Sequence, residues 1–115
     1  MWIDHLRSEI REMRLHLAHG QIVIHPLVTA ELSLGSLQDR RTTLALIDLL
    51  PKVREAQTTE VRNLIEARRL YARGIGIIDA FLVASVLIDS PTLLWTRDRP
   101  LRKVAEHLGI HASLP

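Results

Sequence analysis

Three acidic residues of this 115-residue chain stand at positions where a carboxylate is unexpected. Glu31 interrupts the apolar stretch LVTAELSLG, Asp79 opens the apolar segment DAFLVASVLID, and Asp98 follows TLLWT with one residue, Arg97, between them. Carboxylates that converge at one point make an oxygen-lined site for a hard divalent cation, either Mg²⁺ or Mn²⁺. An ion held there can generate hydroxide and stabilise the transition state of phosphodiester hydrolysis. We therefore expect Asp79, Asp98 and Glu31 to be metal ligands.

Each of these carboxylates also has a purely structural explanation. Asp79 and Asp98 could be the N-caps of the helices that follow them, since aspartate is a favoured N-cap residue. Glu31 could emerge on the solvated side of an otherwise apolar helix. A shared metal site explains all three positions together, but the residues alone leave both interpretations open.

The elements that would carry these residues follow from apolar periodicity and from start and stop signals. Pro26 fits the first turn of a helix, with His25 at its entry, and Thr58 or Thr59 fits the N-cap of another. Gly20, Gly74 and Gly109 follow helix ends. The first three predicted helices span residues 3–17, Pro26 through Leu32, and residues 37–50. A fourth runs from a cap at Thr58 or Thr59 to about Ala72. A fifth begins near Asp79, and a sixth spans residues 99–108.

Short apolar segments alternate with these helices. QIVIHP, KVREA and PTLLWT are the candidate strands, and PTLLWT has the continuous apolar character of a central parallel strand. Helices that alternate with such strands predict an α/β fold with a parallel sheet. Asp98 would then lie at the carboxyl end of a strand, where ligands bind in open parallel sheets.

Composition limits the class of protein. The chain has no cysteine, which excludes disulfides and thiolate metal sites. No apolar run approaches the roughly 18 residues of a membrane span, and no signal peptide is visible. The length suits one domain, spanning 1–115. We therefore expect a cytoplasmic protein with no membrane association.

Arginine dominates the basic residues, and lysine occurs only at Lys52 and Lys103. Arginine binds phosphate with two parallel donors, which suits a nucleic-acid partner, although a GC-rich genome would produce the same bias. Arg97, Arg99 and Arg102 flank Asp98 and are candidates for contacts with RNA phosphates; they could equally be solvated surface residues.

Three segments resemble the PIN-domain ribonucleases of the VapC toxin type: ELSLGSL, RGIGIIDAFLVASVL and LLWTRDRPLRKVA. The last two are specific together, because an aspartate opens an apolar, alanine-rich helix and a Thr-x-Asp follows nineteen residues later. WIDHLR, near the start, is similar to the opening motif of the family. The resemblance covers essentially the whole chain.

The resemblance implies a PIN-like three-layer α/β fold, with a parallel sheet flanked by helices. It also implies a metal-dependent endoribonuclease that forms homodimers and is silenced by a VapB-like antitoxin. Glu31, Asp79 and Asp98 match the acidic residues of the family that hold Mg²⁺ or Mn²⁺. Thr96 matches the threonine that supports the last acid, although a β-branched residue at a strand end is equally expected.

The chain departs from the family pattern at its start. The first catalytic aspartate of the family, and the central strand that carries it, would precede Met1. Asp4 is not expected to replace it, because an acid in the first turn of a helix serves the helix dipole. An alternative function is therefore a catalytically impaired PIN module that binds an antitoxin or partner chain without cleaving RNA.

We expect that Met1 is a misplaced start, at a GTG codon where the family commonly has valine. Reading the gene in frame upstream of codon 1 tests this. The expected result is a short apolar strand that ends in Asp-Thr-Ser, with GTG at codon 1. A stop codon or unrelated sequence there would mean a real truncation, and a weak or inactive nuclease.

Overall fold

Six α-helices lie within residues 10–114 of the computed structural model, which describes those residues together with Trp2 and His5. The chain divides into two compact units, Met1–Lys52 and Val53–Pro115. The first unit contains α1 (Arg11–Ala18), α2 (Pro26–Ser33) and α3 (Arg40–Asp48). The second contains α4 (Thr58–Ala67), α5 (Ile77–Ile88) and α6 (Arg99–His107).

The first unit is built around a small apolar cluster, and α2 carries Glu31. Pro26 is at the first position of α2, as predicted, and the Nδ1 atom of the N-cap residue His25 accepts a hydrogen bond from the Leu27 N–H at 3.0 Å. The Arg40 guanidinium donates hydrogen bonds to the backbone carbonyls of Ser33, the last residue of the helix, and of Gly35. The buried residues of the cluster are Ile24, Leu32 and Ile47, and Trp2, Val28 and Leu50 pack against them.

In the second unit, α5 packs on two sides, which explains why its sequence is apolar nearly all round. Its residues Val83 and Val86 belong to one cluster, and Ala80 and Ala84 belong to another. Ser85 is fully buried, and its hydroxyl accepts a hydrogen bond from the Ala56 N–H at 3.0 Å. The first cluster also contains Leu70, Leu101, Val104, Ala105 and Ile110.

Two helix predictions were wrong in part. The helix expected at 3–17 is not continuous, because Ile10 is extended and α1 begins after it; residues 3, 4 and 6–9 lie outside the described part of the chain. The helix expected to reach Ala72 ends at Ala67, because Arg69 and Ala72 adopt positive φ angles of 53° and 56°. The N-cap of α4 is Gln57, rather than either threonine.

Backbone pairing in the described residues is limited to isolated bridges, both of them parallel. Ile24 pairs with Lys52, so KVREA contributes only its first residue. Leu94, in the predicted central strand, pairs with His111: the Leu94 N–H donates to Ile110 O at 2.7 Å, and Leu94 O accepts from the Ala112 N–H at 2.9 Å. The segment 110–112 was not predicted as a partner, and the continuous parallel sheet stays a prediction.

The loop that precedes α5 lies against the first turn of α6. A Cβ atom added to Gly74 would be 3.5 Å from the Pro100 Cβ, an ordinary van der Waals distance. Gly74 has a φ of +79°, a conformation that only glycine adopts without strain. This contact brings the start of α5 toward the start of α6.

Within the described residues, no helix has the length and apolar character needed to span a membrane.

We expect Gly74→Ala to lower the free energy of unfolding by about 1–2 kcal/mol, because the left-handed conformation is unfavourable for alanine. Chemical denaturation of the purified chain measures the change. Gly76→Ala is the matched control, since Gly76 has a φ of −92° and open space around the added Cβ. The control costs only about 0.5 kcal/mol, the effect of alanine at an N-cap. Equal losses in the two variants would contradict the assignment of strain to Gly74.

Candidate functional site

Asp79 is in the first turn of α5, at its third residue, and Gly76 is the N-cap. The prediction that Asp79 lies at the start of this helix is therefore confirmed. Asp79 is not the N-cap residue, however, so the structural explanation suggested for it was wrong. Its Oδ2 atom accepts a long hydrogen bond of 3.4 Å from the Gly76 N–H. An acid in this turn also interacts favourably with the partial positive charge of the helix N-terminus.

The pKa of Asp79 is raised above its ordinary value, chiefly because the half-buried carboxyl is partly removed from water. The hydrogen bond from Gly76 lowers this pKa, and the charge of Asp98 raises it. This electrostatic repulsion is the smallest of the three effects, and it acts between residues at the starts of two helices whose neighbouring residues, Gly74 and Pro100, lie against each other. A cation between them would relieve that repulsion.

Asp98 is the N-cap of α6, so the structural explanation of this residue is confirmed. Its Oδ2 atom accepts a hydrogen bond from the Leu101 N–H at 3.1 Å. The backbone N–H of Asp98 donates to Thr96 Oγ1, also at 3.1 Å, and Thr96 is buried. The cap therefore holds one carboxylate oxygen, and Thr96 fixes the backbone beneath it. This geometry does not exclude a cation, because the carboxylate has a second oxygen.

Arg97, Arg99 and Arg102 are exposed around this pair of helix starts. The Arg102 Nε atom lies 2.9 Å from Glu106 Oε1, one helical turn further along α6, and each side chain is half exposed. An exposed ion pair of this spacing contributes only about 0.3–0.5 kcal/mol, so a phosphate can compete with Glu106 for the guanidinium.

Glu31 belongs to the first unit and is exposed on α2. This exposure agrees with the structural explanation that Glu31 lies on the solvated side of its helix. Its place relative to Asp79 and Asp98 stays a prediction. Among Trp2, His5 and residues 10–114, no three histidine, aspartate or glutamate side chains form a group that could hold a metal ion. Asp79 and Asp98 both belong to the second unit, where they lie at the starts of α5 and α6.

Carboxylate oxygens are the donor type that a hard cation prefers. Mg²⁺ is commonly bound by one or two carboxylates, keeps several of its waters, and takes further oxygens from substrate phosphates. Two carboxylates, one half-buried and one exposed, match that donor set. The arginines around them supply the opposite charge that an RNA phosphate requires.

Sequence comparison identifies relatives for nearly the whole chain. No protein-family model matches it, and no solved structure matches it significantly. Ribonuclease VapC32 of Mycobacterium tuberculosis, in the CDC 1551 / Oshkosh and the ATCC 25618 / H37Rv strains, is 36% identical over 110 residues. The match covers 96% of this chain and 89% of the relative. A PIN-like α/β fold follows from this similarity, and this chain belongs to the VapC-type toxin ribonucleases.

Proposed function

We propose that this chain is a metal-dependent endoribonuclease that hydrolyses phosphodiester bonds of RNA. The observation that carries the proposal is the placement of two carboxylates, Asp79 and Asp98, at the starts of α5 and α6, where the charge of Asp98 acts on Asp79. The similarity to ribonuclease VapC32 supports the same activity. RNA hydrolysis of this kind would take place in the cytoplasm.

Asp79 and Asp98 would hold Mg²⁺ or Mn²⁺, with Glu31 as a third ligand. When bound, such a cation activates water and neutralises the charge that develops on the phosphate. Thr96 would act as a positioning residue, because its hydroxyl accepts a hydrogen bond from the Asp98 N–H and so fixes the backbone that carries the carboxylate. Arg97, Arg99 and Arg102 would hold the RNA backbone, contributing affinity without sequence information.

Two protein partners belong to the proposal: a second copy of the chain, in a homodimer, and a VapB-like antitoxin that neutralises the activity. A protein partner would cover exposed leucines of the first unit, two of which, Leu46 and Leu49, are three positions apart at the end of α3. Leu34, Leu46 and Leu49 are 90%, 62% and 80% exposed.

We expect Asp79→Asn and Asp98→Asn each to abolish RNA cleavage, and EDTA to do the same to the wild-type chain. The loss should exceed the roughly 10- to 100-fold that removal of an outer-shell partner costs, because these residues would contact the metal directly. Cleavage of a labelled RNA, with added Mg²⁺ or Mn²⁺, is the measurement.

Asp89→Asn is the matched control for cleavage. Asp89 is the C-cap of α5 and is separated from Asp79 by ten residues of helix, or about 15 Å. Its Oδ2 atom accepts from Thr92 Oγ1 at 2.7 Å, a bond that asparagine can also accept. At Asp98 the asparagine variant retains the N-cap, so lost cleavage with an unchanged melting temperature separates chemistry from folding. Cleavage that survives in both asparagine variants would refute the proposal.

A second prediction concerns stability. In EDTA at neutral pH, Asp79→Asn should raise the melting temperature, because it removes a carboxylate whose charged form burial and Asp98 disfavour. Since the folded-state pKa is raised, the wild-type chain gains stability relative to the variant as the pH falls through that pKa. The difference in melting temperature between Asp79→Asn and the wild type should therefore become smaller at acidic pH.

With Mg²⁺ or Mn²⁺ added at neutral pH, the wild-type chain should melt at a higher temperature than Asp79→Asn, because only the wild-type chain gains the free energy of metal binding. Thermal melts with and without the metal measure both effects. Asp89→Asn should gain the same metal-dependent stability as the wild type. A variant Asp79→Asn that melts lower than the wild type in EDTA would contradict the prediction.

A further inference from the structure

The loop between α4 and α5, residues 68–76, exposes an aromatic side chain beside the candidate site. Tyr71 is 56% exposed, although the preceding residue, Leu70, is buried in the main cluster of the second unit. The other three aromatic side chains of the protein, Trp2, Phe81 and Trp95, are only partly exposed. We call residues 68–76 the tyrosine loop.

The backbone of the tyrosine loop is tightly turned. Arg69, Ala72 and Gly74 all adopt positive φ angles, of 53°, 56° and 79°. Such angles are unfavourable for residues other than glycine, and they persist where the surrounding structure holds them in place. The Arg73 Nε–H donates to the Arg69 carbonyl at 3.0 Å, across the turn that presents Tyr71. The ring is therefore presented from a defined turn, and Leu70 anchors that turn in the core.

The tyrosine loop is close to the pair of carboxylates. Gly74 lies against Pro100, which is two residues after Asp98, and Gly76 donates to Asp79. Tyr71 is three positions before Gly74, so their Cα atoms are at most about 11 Å apart. The aromatic ring is therefore carried by the same short loop that contacts Pro100 and leads into the Asp79 turn.

We infer that Tyr71, flanked by the exposed Arg69 and Arg73, forms a subsite that stacks on an unpaired nucleobase beside the cleaved phosphate. An aromatic ring among cations is the combination that binds single-stranded nucleic acid, because bases stack on the ring and arginines contact the backbone. A protein partner with an apolar surface would not need exposed arginines two positions before and two positions after the tyrosine. The inference rests on the proposed ribonuclease function and adds a contact with the base.

Binding of a fluorescein-labelled single-stranded RNA in EDTA tests the subsite without cleavage. Tyr71→Ala should raise Kd by about 5- to 150-fold, the usual effect of losing one stacked base, whereas Tyr71→Phe should stay close to wild type. Leu93→Ala is the matched control, because Leu93 is also exposed (53%) and lies in the same unit. An oligonucleotide with an abasic position at the stacked base should weaken binding by the wild type but not by Tyr71→Ala.

The outcomes separate this inference from the proposed function. Equal Kd values for Tyr71→Ala and the wild type would overturn the subsite, even if the wild type cleaves RNA with Mg²⁺. Tyrosine-dependent binding by a chain that never cleaves RNA would support the subsite and overturn the nuclease. A wild-type chain that binds no single-stranded RNA would overturn the subsite. A loss in Leu93→Ala as large as that in Tyr71→Ala would also overturn it, since the effect would not be specific to the ring.

Discussion

The electrostatic repulsion between two carboxylates, Asp79 at the start of α5 and Asp98 at the start of α6, is the constraint on which the candidate site depends. Their repulsion favours separation of the helix starts that carry them, so another interaction must hold α5 and α6 together. That interaction is the shared apolar cluster, in which Val83 and Val86 of α5 pack with Leu101 and Val104 of α6. A fully buried valine or leucine contributes on the order of 1.5–3 kcal/mol, and both Val83 and Val104 are almost completely buried. The cluster thus opposes the repulsion at the helix starts.

The same packing explains why the electrostatic cost is tolerable. Asp79 is only half-buried and Asp98 is exposed, so water screens much of the repulsion between them. Each carboxylate also occupies a helix N-terminus, where backbone N–H groups favour negative charge. A site of this kind is destabilising in the absence of a cation but does not prevent folding, a balance common where function competes with stability.

The predictions from the sequence succeeded where local signals determine structure. Pro26 at the start of α2, Asp98 before α6 and Gly109 after it all act through their own backbone geometry, so their neighbours in sequence suffice. The end of α4 was missed because EARRLYA favours a helix, whereas the buried Leu70 and the positive φ of Arg69 depend on tertiary packing. Pairing of Leu94 with His111 was missed because a bridge needs a partner that is distant in sequence. The sequence did contain a signal for the tyrosine loop, because Tyr71 lies between two arginines, Arg69 and Arg73.

The two explanations of Asp98, an N-cap and a metal ligand, turn out to be compatible rather than exclusive. An N-cap needs one carboxylate oxygen, and Oδ2 meets that need by accepting the Leu101 N–H. A cation needs an oxygen whose direction is fixed, and the cap fixes it, because the hydrogen bond to Leu101 and the Thr96 contact restrain the side chain and backbone of the same residue. No property of the sequence could choose between the roles, since both require a short acidic side chain immediately before a helix. The cap therefore prepares Asp98 for the proposed ligand role, and the nearby charge of Asp79 supplies the reason for a cation to bind there.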